Sequence, residues 1–169
     1  MSLGISVALT PLVRSFAHRR GLYDEPDKRK VHTTVVPRLG GVAIAVAFAV
    51  PVVALLFYFN RIGERLAGQG NFLFALLGGG LPILALGVWD DIRGCGHKVK
   101  FLVQIAVAVF TVAVGVDIDT VTVPGYGRIE LDLLSPIITV LWIVGIINAI
   151  NLIDGLDGLA SGVCFFAVM

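Results

Sequence analysis

Apolar residues in this chain come in long unbroken blocks, and charged residues are confined to the segments between them. Positions 39–59, 72–89 and 133–153 are almost continuous hydrocarbon. About 20 such residues is the length at which a helix crosses a hydrocarbon core of roughly 30 Å. The block at 101–116 is slightly short but uncharged, and it counts as a further span. A last block opens at 159–169 and is unfinished at Met169. Residues 3–13 are apolar but too short to cross alone, so 3–18 counts as an abbreviated first span. A signal peptide fits that segment poorly, because its charges follow the apolar stretch and no small-residue cleavage site is visible. The pattern predicts an all-α polytopic membrane protein, a helical transmembrane bundle forming one domain over residues 1–169.

The connecting segments differ in kind. Residues 14–38 are rich in charge and broken by Gly21, Pro26 and Pro37, and 60–71 is a polar connector with Gly63, Gly68 and Gly70. In 117–132, Thr120-Val-Thr-Val123 alternates, Pro124-Gly-Tyr-Gly127 turns, and Arg128-Ile-Glu-Leu-Asp132 returns. That reads as a small β-hairpin around a Gly-rich turn. There is no internal repeat or low-complexity tract, and no room for a separate soluble domain.

Composition and charge sharpen the picture. Hydrophobic residues are 57% of the chain and charged residues 15%, with a mean hydropathy of +0.92. The net charge of +1 hides an asymmetry. Arg14, Arg19, Arg20, Lys28, Arg29, Lys30 and Arg38 share one connector, and Arg93, Lys98 and Lys100 share another. Only Arg61, Arg65 and Arg128 fall in the alternate loops. The positive-inside rule puts the two basic connectors and the Asp154–Asp157 turn in the cytoplasm and the hairpin outside. Strict alternation of the spans gives the same answer. Cys95 lies in a cytoplasmic connector and Cys164 in a span, so a disulfide is not expected. Lys98 and Lys100 read as topological anchors, and Trp89 and Trp142 as packing or interface residues.

Three motifs carry candidate chemistry. Asp90 and Asp91 follow Gly87-Val-Trp89 at a cytoplasmic span end. Adjacent carboxylates repel, and a helix C-terminus already carries partial negative charge, so a nearby cation is the usual relief. The plain alternative is a solvated helix end. Asn148-Ala-Ile-Asn151-Leu-Ile-Asp154-Gly-Leu-Asp157-Gly158 gathers two amides and two carboxylates at another span end. A single helix cap would account for one of them, not four. Grouped oxygen ligands suit Mg²⁺, which takes one or two carboxylates together with waters and substrate phosphates. The basic loop contains Lys30, His32 and Arg38 as candidate phosphate contacts, whereas Lys28 and Arg29 read as topological or lipid-facing charges. Its close, Pro37-Arg-Leu-Gly-Gly41, suggests close backbone approach at the mouth of the next span.

Together, residues 27–41 (DKRKVHTTVVPRLGG), 87–91 (GVWDD) and 148–158 (NAINLIDGLDG) resemble the polyprenyl-phosphate N-acetylhexosamine-1-phosphate transferase family. Bacterial enzymes that initiate O-antigen, enterobacterial common antigen and teichoic acid linkage units belong to it, as does the peptidoglycan translocase. The style of the first loop, with His32 and Pro37-Arg-Leu-Gly-Gly41, is closer to the N-acetylglucosamine-1-phosphate branch. The resemblance implies transfer of a sugar-1-phosphate from a UDP-sugar to an undecaprenyl-type lipid phosphate, with release of UMP. It implies Mg²⁺ as cofactor, with Mn²⁺ as a substitute, and a multi-pass location in the bacterial plasma membrane. The implied catalytic residues are Asp90 and Asp91, and the implied metal ligands Asn151, Asp91 and Asp154. Lys30, His32, Arg38, Asn148, Asp154 and Asp157 are the implied substrate-binding residues. The expected partners are the UDP-sugar, the lipid phosphate and the membrane, with no nucleic acid and with a homodimer left open.

The departure from the family is length. The resemblance implies further spans, another acidic ligand and a histidine-rich loop after Met169, so the chain reads as an amino-terminal part of such an enzyme, inactive alone. Two other readings stay open: a phospho-MurNAc-pentapeptide transferase, and a non-catalytic transporter fragment whose Asp and Asn residues line an ion path. A transport path favours polar groups at mid-membrane, whereas these cluster at one edge.

Overall fold

A computed structural model describes residues 1–24, 36–57, 63–65, 68–153 and 159–168. Its elements in chain order are α1 (Ser2–Arg20), β1 (Tyr23–Asp24), β2 (Val36–Pro37), α2 (Gly40–Phe57), α3 (Gly70–Arg93) and α4 (His97–Ala113). There follow β3 (Thr120–Val123), β4 (Gly127–Glu130), a 3-10 turn (Asp132–Leu134), α5 (Ser135–Ile153) and α6 (Leu159–Val168).

Among the described residues, three helical stretches are long and apolar enough to cross a membrane: Gly40–Phe57, Gly70–Arg93 and Asp132–Ile153. The helices at the other expected spans are differently built. α1 runs for 19 residues with Arg19 and Arg20 in its last turn. α4 has 17 residues and, instead of covering 101–116, starts earlier at His97 and stops at Ala113. Lys98 and Lys100 are therefore helical, and the turn at Gly115, with φ 86°, ends the helix before the apolar run is exhausted. Pro11, Pro51 and Pro82 lie inside helices, which membrane helices tolerate because neighbouring groups satisfy the freed carbonyl.

Helix ends follow local rules. Gly21 adopts φ 66°, and the Gly21 and Leu22 N–H groups donate to the carbonyls of His18 and Ala17, closing α1 in a Schellman pattern. The two-residue β1–β2 ladder then pairs Tyr23 with Pro37 and Asp24 with Val36, so the residues flanking 25–35 are held together.

Contacts between α3, α4 and α5 run antiparallel. Asp90 meets Lys100 at one end, Gly79 faces Val107 midway, and Gly115 approaches Asn71 at the other end. At Gly79 the helices pack tightly, since a Cβ there would sit 3.1 Å from Val107 Cγ1. The buried apolar residues are mostly small, including Ala17, Ala43, Ala47, Ala75 and Ala108. Small residues let membrane helices approach, while large ones such as Phe48, Phe74 and Leu141 face outward.

The expected hairpin is present, with Val121 opposite Ile129 and Val123 opposite Gly127. It is pinned to the start of α5, where Ser135 Oγ donates to Asp117 Oδ2 at 3.0 Å and the Ile118 N–H donates to Thr139 Oγ1 at 2.9 Å. The hairpin therefore sits at the end of the bundle opposite Asp90 and Asp91.

Candidate active site

The acidic pair lies inside the last turn of α3, which continues to Arg93. The helix dipole disfavours anions there, so donors must compensate. Gly94 turns the chain at φ 72°, a conformation a side chain would strain. Beyond it the Cys95 N–H returns to Asp90 Oδ1 at 2.8 Å. Lys100 Nζ, from the first turn of α4, contacts Asp90 Oδ2 at 2.5 Å. Both Asp90 oxygens thus have a donor, one of them cationic. Lys100 is more than the topological anchor its position suggested.

Asp91 is held from the first loop. The Leu39 N–H donates to Asp91 Oδ2 at 2.9 Å, and Arg38 Nη1 donates to the Asp91 carbonyl at 3.0 Å. Asp91 Oδ1 accepts no hydrogen bond from the described residues. Leu39 is buried and adopts φ 72°, in the left-handed region. The special backbone of Pro37-Arg-Leu-Gly-Gly41 is therefore at leucine; Gly40 and Gly41 begin α2, and a Cβ at either would meet nothing within 4 Å. A cleft of about 230 Å³ beside this loop, between α1 and α2, is lined by Arg14 and Arg38 among others.

On α5, Asn148 Nδ2 donates to the Val144 carbonyl at 2.8 Å and to Gln104 Oε1 of α4 at 2.7 Å. Both amide hydrogens are engaged within the bundle, leaving Oδ1 for any further contact. Asn151 is exposed near the end of α5, and its side chain makes no hydrogen bond among the described residues.

Arg38 is thus brought against Asp91 and Lys100 against Asp90 at one helix end, and Asn151 comes to the same end of the bundle on α5. Lys30, His32, Asp154 and Asp157 lie outside the described residues. Sequence reasoning passed over Gln104, the Cys95 N–H and the Leu39 N–H. For Gln104 a signal existed: a lone amide within an apolar run, which hydrocarbon tolerates only when paired. Backbone donors leave no signal in side-chain identity. Among the described residues no group of three or more His, Cys, Asp or Glu side chains could hold a metal. Asp91 and Asn151 nevertheless supply hard oxygens of the kind Mg²⁺ takes when substrate phosphates and waters complete its shell. The arrangement can offer negatively charged and amide oxygens to a cation, with Arg38 and Lys100 as adjacent positive charge.

Residues 73–169 match glycosyl transferase family 4. A Bacillus subtilis (strain 168) protein named "Probable undecaprenyl-phosphate N-acetylglucosaminyl 1-phosphate transferase" is 41% identical over 96% of this chain and 43% of its own length. Thermotoga maritima has an "Undecaprenyl-phosphate alpha-N-acetylglucosaminyl 1-phosphate transferase" that is 35% identical over 96% of this chain and 47% of its own. A "Decaprenyl-phosphate N-acetylglucosaminephosphotransferase" of Mycolicibacterium smegmatis is 38% identical over 81% of this chain and 34% of its own. The chain spans less than half the length of each of these relatives. No solved structure matches it significantly.

Proposed function

This chain belongs to glycosyl transferase family 4, and on that premise we propose that it forms part of a membrane enzyme transferring N-acetylglucosamine-1-phosphate from a UDP-sugar to a polyprenyl phosphate. An oxygen of the lipid phosphate bonds to the sugar-bearing phosphorus, and the bond from that phosphorus to the bridging oxygen breaks, releasing UMP. The observation that carries this reading is the convergence of the first loop, through Leu39 and Arg38, on Asp91 at the helix end where Lys100 meets Asp90. A soluble donor and a lipid-buried acceptor can meet only at the membrane edge, and the described parts of the three motifs, Arg38 and Leu39, Asp90 and Asp91, and Asn148 and Asn151, lie at one end of the bundle. A transporter path would need polar groups along the span.

Phosphoryl transfer asks a protein mainly for positioning and for positive charge around the transferring group. Mg²⁺, or Mn²⁺ in its place, supplies that charge when bound, with Asp91 Oδ1, Asn151 and Asp154 as proposed holders. Asp90, paired with Lys100, lies at the acceptor phosphate in this reading, and Arg38 orients the donor diphosphate together with Lys30, His32 and Asp157. Asn148 contributes to substrate only through Oδ1. The site faces the cytoplasm of a bacterial inner membrane. Cysteines introduced at Lys98 and Gly125, with Cys95 and Cys164 replaced, should label from opposite faces.

Because the matched region is under half of each relative, turnover is expected of a chain of the family's full length and not of residues 1–169 alone. The test grafts residues 1–169 onto the remainder of the Bacillus subtilis relative and measures UMP release from UDP-N-acetylglucosamine with undecaprenyl phosphate. Activity should vanish with EDTA and return with Mg²⁺. Absence of UMP release would refute the function, and release that survives thorough chelation would refute the metal assignment.

A further inference from the structure

We propose that Gln104 is a positioning residue: its hydrogen bond to Asn148 sets the rotation and depth of the end of α5, and thereby the placement of Asn151 at the end of the bundle that carries the acidic pair. The catalytic consequence rests on the proposed function; the positional one does not.

Gln104 is 5% exposed and sits seven residues into α4, about 10 Å along its axis. Asn148 lies five residues before the end of α5, about 7.5 Å from it. Two amides at matching depth in hydrocarbon are costly singly and tolerable as a pair. The direction of the bond is determined by the backbone. Asn148 must place its nitrogen, not its oxygen, against the Val144 carbonyl, so its second hydrogen points to an oxygen, and Gln104 must present Oε1. The rotamers of both side chains are thereby tied to the α5 backbone.

Such a tie matters at this end of α5 because the helix's other polar ties, from Ser135 and Thr139, lie at its opposite end. In a membrane, lipid tails solvate Leu and Ile as well as a neighbouring helix does, so apolar packing encodes the angular position of a helix weakly. A single buried polar pair specifies register where apolar contacts do not. Here it lies next to the site. Lys100 and Gln104 are four apart on α4 and share one face. Lys100 grips Asp90 of α3, and Gln104 grips Asn148 of α5. One face of α4 is therefore a splint joining the two helix ends that carry the motifs. Asn151 follows Asn148 by less than one turn, so its position inherits the rotation that the pair sets.

Two measurements test this. In the grafted enzyme, Gln104→Leu should lower kcat at least about tenfold, the scale of a sub-ångström misplacement at a reacting centre, while KM for UDP-N-acetylglucosamine stays within about threefold. Asn148→Leu should lower kcat by a similar factor and, because it also removes Oδ1 from the substrate, raise KM as well; the double variant should have a kcat no lower than that of Asn148→Leu, because each substitution removes the same tie. Gln104→Glu, which when uncharged keeps a carbonyl oxygen for Asn148, should recover most of kcat. Retained kcat in Gln104→Leu with only a lower Tm would make the pair a packing contact and overturn the proposal. So would a raised KM at unchanged kcat, since that would indicate direct contact with the donor. Independently of any activity, the 169-residue chain in lipid nanodiscs with ¹⁵N-labelled Asn should show the Asn151 side-chain resonance moving in Gln104→Leu and not in Val109→Leu. An unmoved Asn151 resonance would refute the positional claim even in an active enzyme. A graft without turnover would instead defeat the proposed function and leave the resonance to decide this inference.

Discussion

The backbone N–H of Leu39 donates to the side chain of Asp91 at 2.9 Å, joining residues 52 positions apart. Leu39 reaches this geometry at φ 72°, a conformation that costs an L-residue about 1–2 kcal/mol. It persists because the side chain is buried and the amide neutralises part of an anion at an adverse helix end. Strain of this kind is found where surrounding structure over-determines a residue, and functional sites are common hosts.

That strain predicts an inverted substitution order. Leu39→Ala and Leu39→Gly both remove the buried side chain, a loss of about 2–5 kcal/mol. Only glycine also relieves φ, so Leu39→Gly should unfold at least as late as Leu39→Ala, by about 1 kcal/mol. Thermal unfolding in lipid bicelles reads this directly. An alanine variant clearly more stable than the glycine variant would mean that Leu39 carries no strain.

The two carboxylates should both matter to turnover in the grafted enzyme. Asp90→Asn and Asp91→Asn remove charge with little change of shape, and each should lower kcat at least about a hundredfold, roughly 2.7 kcal/mol of barrier. Asparagine at position 91 keeps an oxygen for the Leu39 N–H, so stability should barely change. Near-normal turnover in both variants would return the pair to a solvated helix end.

Lys98 and Lys100 sit two residues apart and should behave differently. The Lys100 and Asp90 side chains are 30% and 33% exposed, so their pairing is screened and worth about 1 kcal/mol, the upper end for pairs reached by solvent. Lys100→Met should lower stability by that amount and also reduce kcat, because Asp90 loses its cation. Lys98→Met should stay within about 0.5 kcal/mol of the parent. Chemical denaturation and UMP release of the two variants side by side would separate them; equal effects would make Lys100 a topological anchor after all.

The α3–α4 contact yields a prediction remote from the chemistry. A side chain at Gly79 would press on Val107, whereas one at Gly80 would meet nothing within 4 Å. Gly79→Leu should destabilise by about 1–3 kcal/mol through overpacking, and Gly80→Leu should not. Comparable Tm values for the two variants would show that α3 and α4 separate freely.

The sequence by itself determined the helices, the hairpin and the end of the bundle where chemistry is expected. Hydrocarbon blocks, the Thr120–Val123 alternation and helix-ending glycines act through neighbours in the chain, so composition and spacing suffice to read them. It pointed correctly to Arg38 and Asp91 as residues of one region, without indicating that one binds the backbone carbonyl of the other. Only tertiary structure decided that Leu39, and not the glycines after it, takes the left-handed backbone. The same is true of the pairing of Lys100 with Asp90 and of Gln104 with Asn148. In the longer-range pairs, 44 to 53 residues separate the partners, and no local rule connects them. Which donor meets which acceptor depends on how apolar helices of nearly uniform surface dock. That docking is set by small residues and a few polar ties, whose partners become visible only once the helices are side by side.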